Sequence, residues 1–212
     1  MRKAIEIADR VLLGLSVNEG QTEKEIAEKI RLALKKNGAR PAFRIIVASG
    51  KRSALPHGFA SEKIIKKGEL LVVDFGAVYN KFRSDITRTF IIGKPAAKQR
   101  KIYRIVKEAQ RQAIRALKAG KPCFAVDAAA REYIDRQGFG KYFIHSTGHG
   151  ILKRVHQAPK ISRKNRRKLK AGMVVTIEPG IYIKGWGGVR IEDMLLVTKT
   201  GSRRLTKSAY KF

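Results

Sequence analysis

The chain has 212 residues, 43% hydrophobic and 30% charged, a composition that excludes a disordered tail and suits one large domain or two halves sharing one core. Its formal net charge of +30 is spread along the sequence, which excludes a detachable basic tail as the source. One cysteine, Cys123, cannot close an internal disulfide, and no stretch approaches the roughly 18–20 apolar residues of a membrane span. At the N-terminus Glu6, Asp9 and Arg10 interrupt the apolar run and no small-residue cleavage site follows, which argues against a signal peptide. The expectation is a cytoplasmic protein without membrane association.

In chain order, Ile5, Ala8, Val11 and Leu12 recur at helical intervals and predict a helix over 2–16. Thr22, with Glu25 three positions on, signals a capping box for a second helix that runs to Lys36 and stops at Asn37-Gly38. Strand-like segments follow at 43–48, 70–78 and 82–92. Helices are expected again at 96–118, ending at Gly120, and at 125–137, ending at Gly138. Strands then return at 141–147, 173–183 and 189–198. The order helix, helix, strands thus occurs twice. With no linker between them, the halves, about 1–107 and 108–212, should pack as one domain.

Each half places two acids in a hairpin. Asp74 and Asp85 lie eleven positions apart, and a two-residue turn at Tyr79-Asn80 or Asn80-Lys81 gives cross-strand partners odd residue sums. Both acids then share one face, directly opposite or on a diagonal. Glu178 and Glu192 have an even sum, which suits a three-residue loop through Lys184, Gly185 and Trp186. The offsets between halves, 104 from Asp74 to Glu178 and 107 from Asp85 to Glu192, nearly match.

Four carboxylates between two halves raise one another's pKa and need compensation. Pairing with Arg83, Arg88 or Arg190 is one answer; divalent metal is the other. Of the four histidines, His57 stands in ALPHGFA, and His145, His149 and His156 cluster in HSTGHGILKRVH. A lone histidine is usually a packing residue, but three within twelve residues beside a carboxylate cage point to ligation. Asp, Asp, His, Glu and Glu suit a pair of Mn, Co, Fe or Zn ions sharing bridging carboxylates. Such a pair activates water and polarises a carbonyl, which is hydrolysis chemistry.

The motifs DFGAVYNKFRSDITRT, HSTGHG, TIEPGIYI and GGVRIEDMLLVT resemble those of the metallopeptidases with the pita-bread fold, which include methionine aminopeptidase, aminopeptidase P and prolidase. The resemblance runs from the first helix to the last strand. It implies an α+β fold of two pseudo-twofold-related halves around a curved antiparallel sheet. It further implies two divalent ions, with Asp74 on one, Asp85 and Glu192 bridging, and His149 and Glu178 completing the other. Glu178 matches the proton-shuttling carboxylate, and His57 and His156 the histidines that hold the substrate carbonyl and the developing oxyanion. His145, with Arg190 in GGVRIED, resembles the Xaa-Pro branch and extends the expected substrate-binding set.

The expected activity is therefore hydrolysis of the bond before a penultimate proline, as an Xaa-Pro aminopeptidase or dipeptidase. Methionine removal, or another exopeptidase preference, is the alternative within the fold. Leu152, Lys153, Arg154 and Gln157 depart from the family's pattern and bear on the pocket mouth. Because Met1 begins directly at the catalytic motifs, no N-terminal creatinase-like domain is expected. A third reading, from another class, is a basic RNA- or ribosome-binding module with vestigial peptidase activity. Its footprint is residues 153–170, with nine basic side chains in eighteen, expected at the rim of the catalytic face.

Overall fold

The computed structural model describes residues 1–209. Its four helices are α1 (Arg2–Leu13), α2 (Glu23–Lys36), α3 (Ala97–Ala116) and α4 (Cys123–Arg136). The apolar stripe of α1 packs as its spacing predicts, burying Ile5, Ala8, Val11 and Leu12, but the helix stops at Gly14 rather than at 16. The capping box of α2 forms: Glu25 N–H donates to Thr22 Oγ1 at 3.1 Å, and Thr22 N–H donates to the Glu25 carboxylate at 2.6 Å. Such a cap contributes about 1 kcal/mol.

Among the described residues thirteen short strands complete the fold. The first half carries β1 (Arg40–Pro41), β2 (Ile46–Ser49), β3 (Leu70–Phe75), β4 (Ala77–Tyr79), β5 (Phe82–Arg83) and β6 (Ile86–Ile91). The second carries β7 (Gly148–Gly150), β8 (Gln157–Ile161), β9 (Val174–Ile177), β10 (Gly180–Ile183), β11 (Gly187–Arg190), β12 (Asp193–Val197) and β13 (Ser202–Arg204). Strands order as β2-β3-β6 and β1-β4-β5 in one half, and as β13-β12-β9-β7-β8 and β10-β11 in the other. All pairings are antiparallel.

Each half has its own apolar core. Residues of α1 and α2 pack with Val47, Leu71, Val73 and Ile86, while those of α3 and α4 pack with Val175, Ile177, Val189 and Leu195. The halves join through β6. Glu192 N–H donates to the Thr87 carbonyl at 3.1 Å, and Thr89 Oγ1 exchanges hydrogen bonds with the Arg190 backbone at 2.9 and 3.1 Å. The carboxylate-bearing hairpins are thereby brought side by side.

One expectation fails and a second holds only in part. Residues 141–147 do not form a strand; a 3-10 turn at Gly140–Tyr142 leads into irregular chain, and pairing begins only at Gly148. Here Arg131 supplies what a ladder would, donating to the carbonyls of Phe143 and His145 at 2.8 and 2.7 Å. The basic run 153–170 also divides. Val155 to Ala158 and Lys160 border the main cavity, whereas the exposed Arg163, Lys164, Arg166 and Arg167 do not. That second part folds back on α4, whose first N–H groups, at Cys123 and Phe124, donate to the Arg167 and Asn165 carbonyls at 3.0 and 2.9 Å.

Candidate metal centre

Local chain geometry sets the positions of the acids. Asn80 and Lys81, at φ of 46° and 67°, make the two-residue turn that fixes the first register. Asp74 pairs with Thr87 across β3 and β6, so Asp85, two positions before Thr87, shares their face on the diagonal. In the second half Ile183 pairs with Gly187 around the three-residue loop, and Ile177 pairs with Asp193. That register sets Glu178 opposite Glu192. His149 arrives from β7, whose backbone lies so close to β9 that a Cβ at Gly148 would sit 1.9 Å from the Thr176 carbonyl oxygen. Only glycine fits there.

The five side chains converge. Asp85, His149 and Glu192 each offer a donor atom, and the three atoms lie within 4.8 Å of one another. His149 Nε2 is 3.3 Å from Glu178 Oε1 and 3.7 Å from Asp85 Oδ2. His149 Nδ1 lies 3.1 Å from the Gly150 carbonyl, so Nδ1 carries the proton and the Nε2 lone pair faces carboxylate oxygens. Acceptors facing one another in a buried site call for a cation or protons between them.

The titration behaviour says the same. Burial, then the charges of Glu192, Asp74 and Glu178, push the Asp85 carboxyl well above its ordinary range. Burial, then Glu178 and Asp74, do the same to Glu192. Glu178 is pushed up to about 8 by burial, with Asp74 adding to the rise and Arg190 opposing it. Burial lowers His149. Without a cation these three carboxyls therefore hold more protons in the folded than in the unfolded chain above the ordinary carboxylate range. This contribution to stability is present at low pH and is lost as pH rises towards about 8.

Asp74 is divided between two partners' worth of capacity. Its Oδ2 accepts from Arg190 Nη2 at 2.6 Å, while its Oδ1 is buried without a hydrogen-bond partner. Asp74 borders the cavity with the other four residues. The residues present thus fit divalent cations: hard oxygens predominate, a lone pair of imidazole is correctly turned, and one carboxylate oxygen lacks any other partner.

Arg190 serves this cage rather than the open space. It is 3% exposed, and besides Asp74 it donates to Thr87 Oγ1 at 3.2 Å, the Tyr182 hydroxyl at 2.9 Å and the Pro56 carbonyl at 3.2 Å. It pairs with neither Glu192 nor Asp193; Asp193 belongs to Arg88 at 2.8 Å. Among the described residues Arg83 pairs with no carboxylate and instead fastens the Leu152–Lys153 turn through their carbonyls. His145 has both ring nitrogens engaged, Nδ1 at the Ser146 carbonyl and Nε2 at the Tyr182 hydroxyl, each at 2.8 Å. Burial, then the positive charge of Arg190, hold His145 down to about 4, so it is neutral at physiological pH. His145 borders the main cavity.

Above the cage opens a cavity of about 810 Å³. The exposed rings of His57 and His156 border it, with His156 edge-on to His149 at 4.3 Å between centroids. Phe43, Ile46, Pro56, Phe59 and Val155 give it apolar walls, and Arg44 and Lys160 give it cationic ones. Sequence reasoning passed over Thr87, which donates to Glu192 Oε2 at 2.7 Å, and Thr176, which donates to Glu178 Oε1 at 3.2 Å. Strand alternation was the available signal: Thr87 stands two residues after Asp85 and Thr176 two before Glu178.

Two αβ halves closing a carboxylate–histidine cage beneath a single cavity is the architecture of the pita-bread metallopeptidases. Residues 1–199 match the model of metallopeptidase family M24, and the chain belongs to that family. It is 52% identical over 211 residues to the Xaa-Pro dipeptidase of Pyrococcus furiosus, covering 98% of this chain and 61% of that protein. The solved prolidase from Pyrococcus furiosus superposes with a TM-score of 0.97 at 52% identity, over 98% of this chain and 63% of that one. The X-Pro aminopeptidase from Thermotoga maritima does so at 0.96 and 44% identity, over 98% and 60%. The chain therefore spans about 60% of the length of these relatives. Family membership implies use of divalent metal, which the donor set fits. Among the described residues no helix is long and apolar enough to cross a membrane.

Proposed function

We propose that this chain is a dinuclear metallo-exopeptidase that hydrolyses the peptide bond before a penultimate proline, as an Xaa-Pro aminopeptidase or dipeptidase. The observation that carries the reading is the five-donor cage, with its orphaned Asp74 oxygen, opening directly into the cavity that His57 and His156 border. Asp74, Asp85, His149, Glu178 and Glu192 would hold two ions, of the Mn, Co, Fe or Zn type, with Asp85 and Glu192 shared between them. When bound, such a pair supplies Lewis-acid polarisation of the scissile carbonyl and a water that is nucleophilic at neutral pH.

The chain's own groups do the rest. Glu178 Oε1 is fixed by the Thr176 hydroxyl, which leaves Oε2 to take the proton of the attacking water and return it to the leaving nitrogen. His57 and His156 donate to the substrate carbonyl and to the oxyanion that develops from it. The apolar faces of Phe43, Ile46 and Val155 suit a compact ring such as proline. Arg190 and Tyr182 hold the cage in register from behind. The similarity to proteins named Xaa-Pro dipeptidase and prolidase supports the proline preference. A buried free thiol at Cys123 suits a cytoplasmic setting.

The test is a peptide panel on metal-loaded protein. Peptides with proline at the second position are expected to be cleaved much faster than Met-Ala or Met-Gly, with all cleavage lost in chelator. Equal or reversed preference would move the chain to the methionine-removing branch, and full turnover without metal would overturn the reading.

A further inference from the structure

Glu23, the first residue of α2, is fully buried and far from the cage in sequence. Its carboxylate accepts five hydrogen bonds. Oε1 receives Ser49 N–H at 2.7 Å and Ser49 Oγ at 2.9 Å. Oε2 receives Arg52 Nε at 3.0 Å, Ser61 N–H at 3.2 Å and Ser61 Oγ at 2.6 Å. One side chain thus ties together both ends of segment 49–61, which bears His57. Arg52 carries the connection inward: its Nη2 donates to the Phe59 carbonyl at 2.7 Å, and Phe59 N–H donates to the His57 carbonyl at 2.8 Å.

The far side of the segment is fastened to the second half. Gly188 N–H donates to Ser53 Oγ at 2.8 Å, and a Cβ at Gly188 would lie 2.3 Å from the Ser53 carbonyl oxygen. Arg190 donates to the Pro56 carbonyl. The second half repeats the device. Asp127, a buried carboxylate on α4, accepts from Thr147 N–H and Oγ1 at 3.1 and 2.8 Å, two residues before His149. Its partner Arg131 holds the Phe143 and His145 carbonyls as Arg52 holds that of Phe59.

We propose that Glu23 is a positioning residue for the peptidase site: through Arg52 and both ends of segment 49–61 it sets where His57 meets the substrate carbonyl. A buried carboxylate with five donors has no capacity left for a ligand, and a general stabiliser would not need to span a loop whose middle borders the cavity. The inference rests on the proposed function for its kinetic arm only.

The experiment compares Glu23→Gln with wild type in the metal-loaded protein. Glutamine keeps the shape but turns an amide N–H₂ towards the serine and arginine donors. Turnover of an Xaa-Pro dipeptide is expected to fall on the order of 100-fold, the usual cost of an ångström-scale misplacement, with metal content unchanged. Combined with His57→Ala, the loss should not multiply, because both changes remove the same contact. In NMR spectra of ring-labelled histidines, the His57 signal should move while those of His145, His149 and His156 stay. Ser61→Ala, which removes one donor only, should give a smaller loss in the same direction and serves if Glu23→Gln does not fold. Glu62→Ala, which breaks the exposed Lys24–Glu62 pair beside it, should leave the rate unchanged. Multiplicative losses in the double variant, or an unmoved His57 signal, would overturn the proposal. If the wild type cleaves no peptide, the functional reading fails and the His57 signal still decides the positioning role.

Discussion

Replacing Glu178 with alanine is expected to lower turnover of Xaa-Pro peptides by about 10²–10⁴-fold, the range that removal of a positioned acid–base group spans. Above about pH 8, where its carboxyl ionises, the same change should raise, not lower, the thermal midpoint of the metal-free protein. Glu178 adds like charge to Asp85 and Glu192, which burial and mutual repulsion already push well above the ordinary carboxylate range. Loss of activity together with gain of apoprotein stability is the signature of a group held in place for function at a cost to the fold. His149→Ala should also abolish turnover, through loss of an imidazole donor whose Nδ1 is already oriented by the Gly150 carbonyl. Thermal unfolding of the apo forms and steady-state kinetics of the loaded forms check both. An apo Glu178→Ala protein that unfolds several degrees earlier than wild type would show the cage to be a stabilising network instead.

Arg88→Ala carries the largest expected cost in stability. The side chain is 1% exposed and lies at the junction of the halves. It donates to Asp193 Oδ1 at 2.8 Å and to the carbonyls of Glu192, Thr87 and Ser208 at 2.5, 2.9 and 2.9 Å. Removing one partner of a buried ion pair costs about 3–5 kcal/mol, because the remaining carboxylate loses its close counter-charge. For a chain of this size that lowers Tm by roughly 10 °C. Arg88→Lys should recover only part of it, since an ammonium cannot reproduce a planar fork that serves several acceptors. Because one acceptor is the backbone of Glu192, metal affinity should fall as well. Thermal denaturation within about 1 kcal/mol of wild type would contradict this role.

Much of the cage was legible because strand parity is local. The turn between β4 and β5 and the loop between β10 and β11 set odd and even sums, and those sums put Asp74 with Asp85 and Glu178 opposite Glu192. Helix starts were legible for the same reason, as the capping box of α2 shows. What sequence could not show were partners chosen across the halves. Arg190 reaches Asp74, 116 residues away, rather than its near neighbours Glu192 and Asp193; Arg88 takes Asp193, 105 residues away. The hydrogen bonds of His145 to the Tyr182 hydroxyl and the Ser146 carbonyl were likewise not legible. The strand expected at 141–147 failed because Arg131, from α4, takes the carbonyls that a neighbouring strand would have paired. β8 lay hidden inside a basic run, where Gln157 and Lys160 mask the alternation that buries Pro159 and Ile161.

The central claim, that five side chains from both halves form a centre for two divalent ions, is tested most directly by titrating Mn(II) into the metal-free protein at pH 8 and at pH 6. Binding of about two ions per chain is expected at pH 8. Affinity should be weaker at pH 6, because protons on Asp85, Glu178 and Glu192, whose carboxyls are all raised, must be displaced there. Asp85→Asn or Glu192→Gln, each removing a proposed bridge, should disrupt both sites at once. Fewer than one ion bound at pH 8, or an affinity indifferent to pH and to either substitution, would contradict the account.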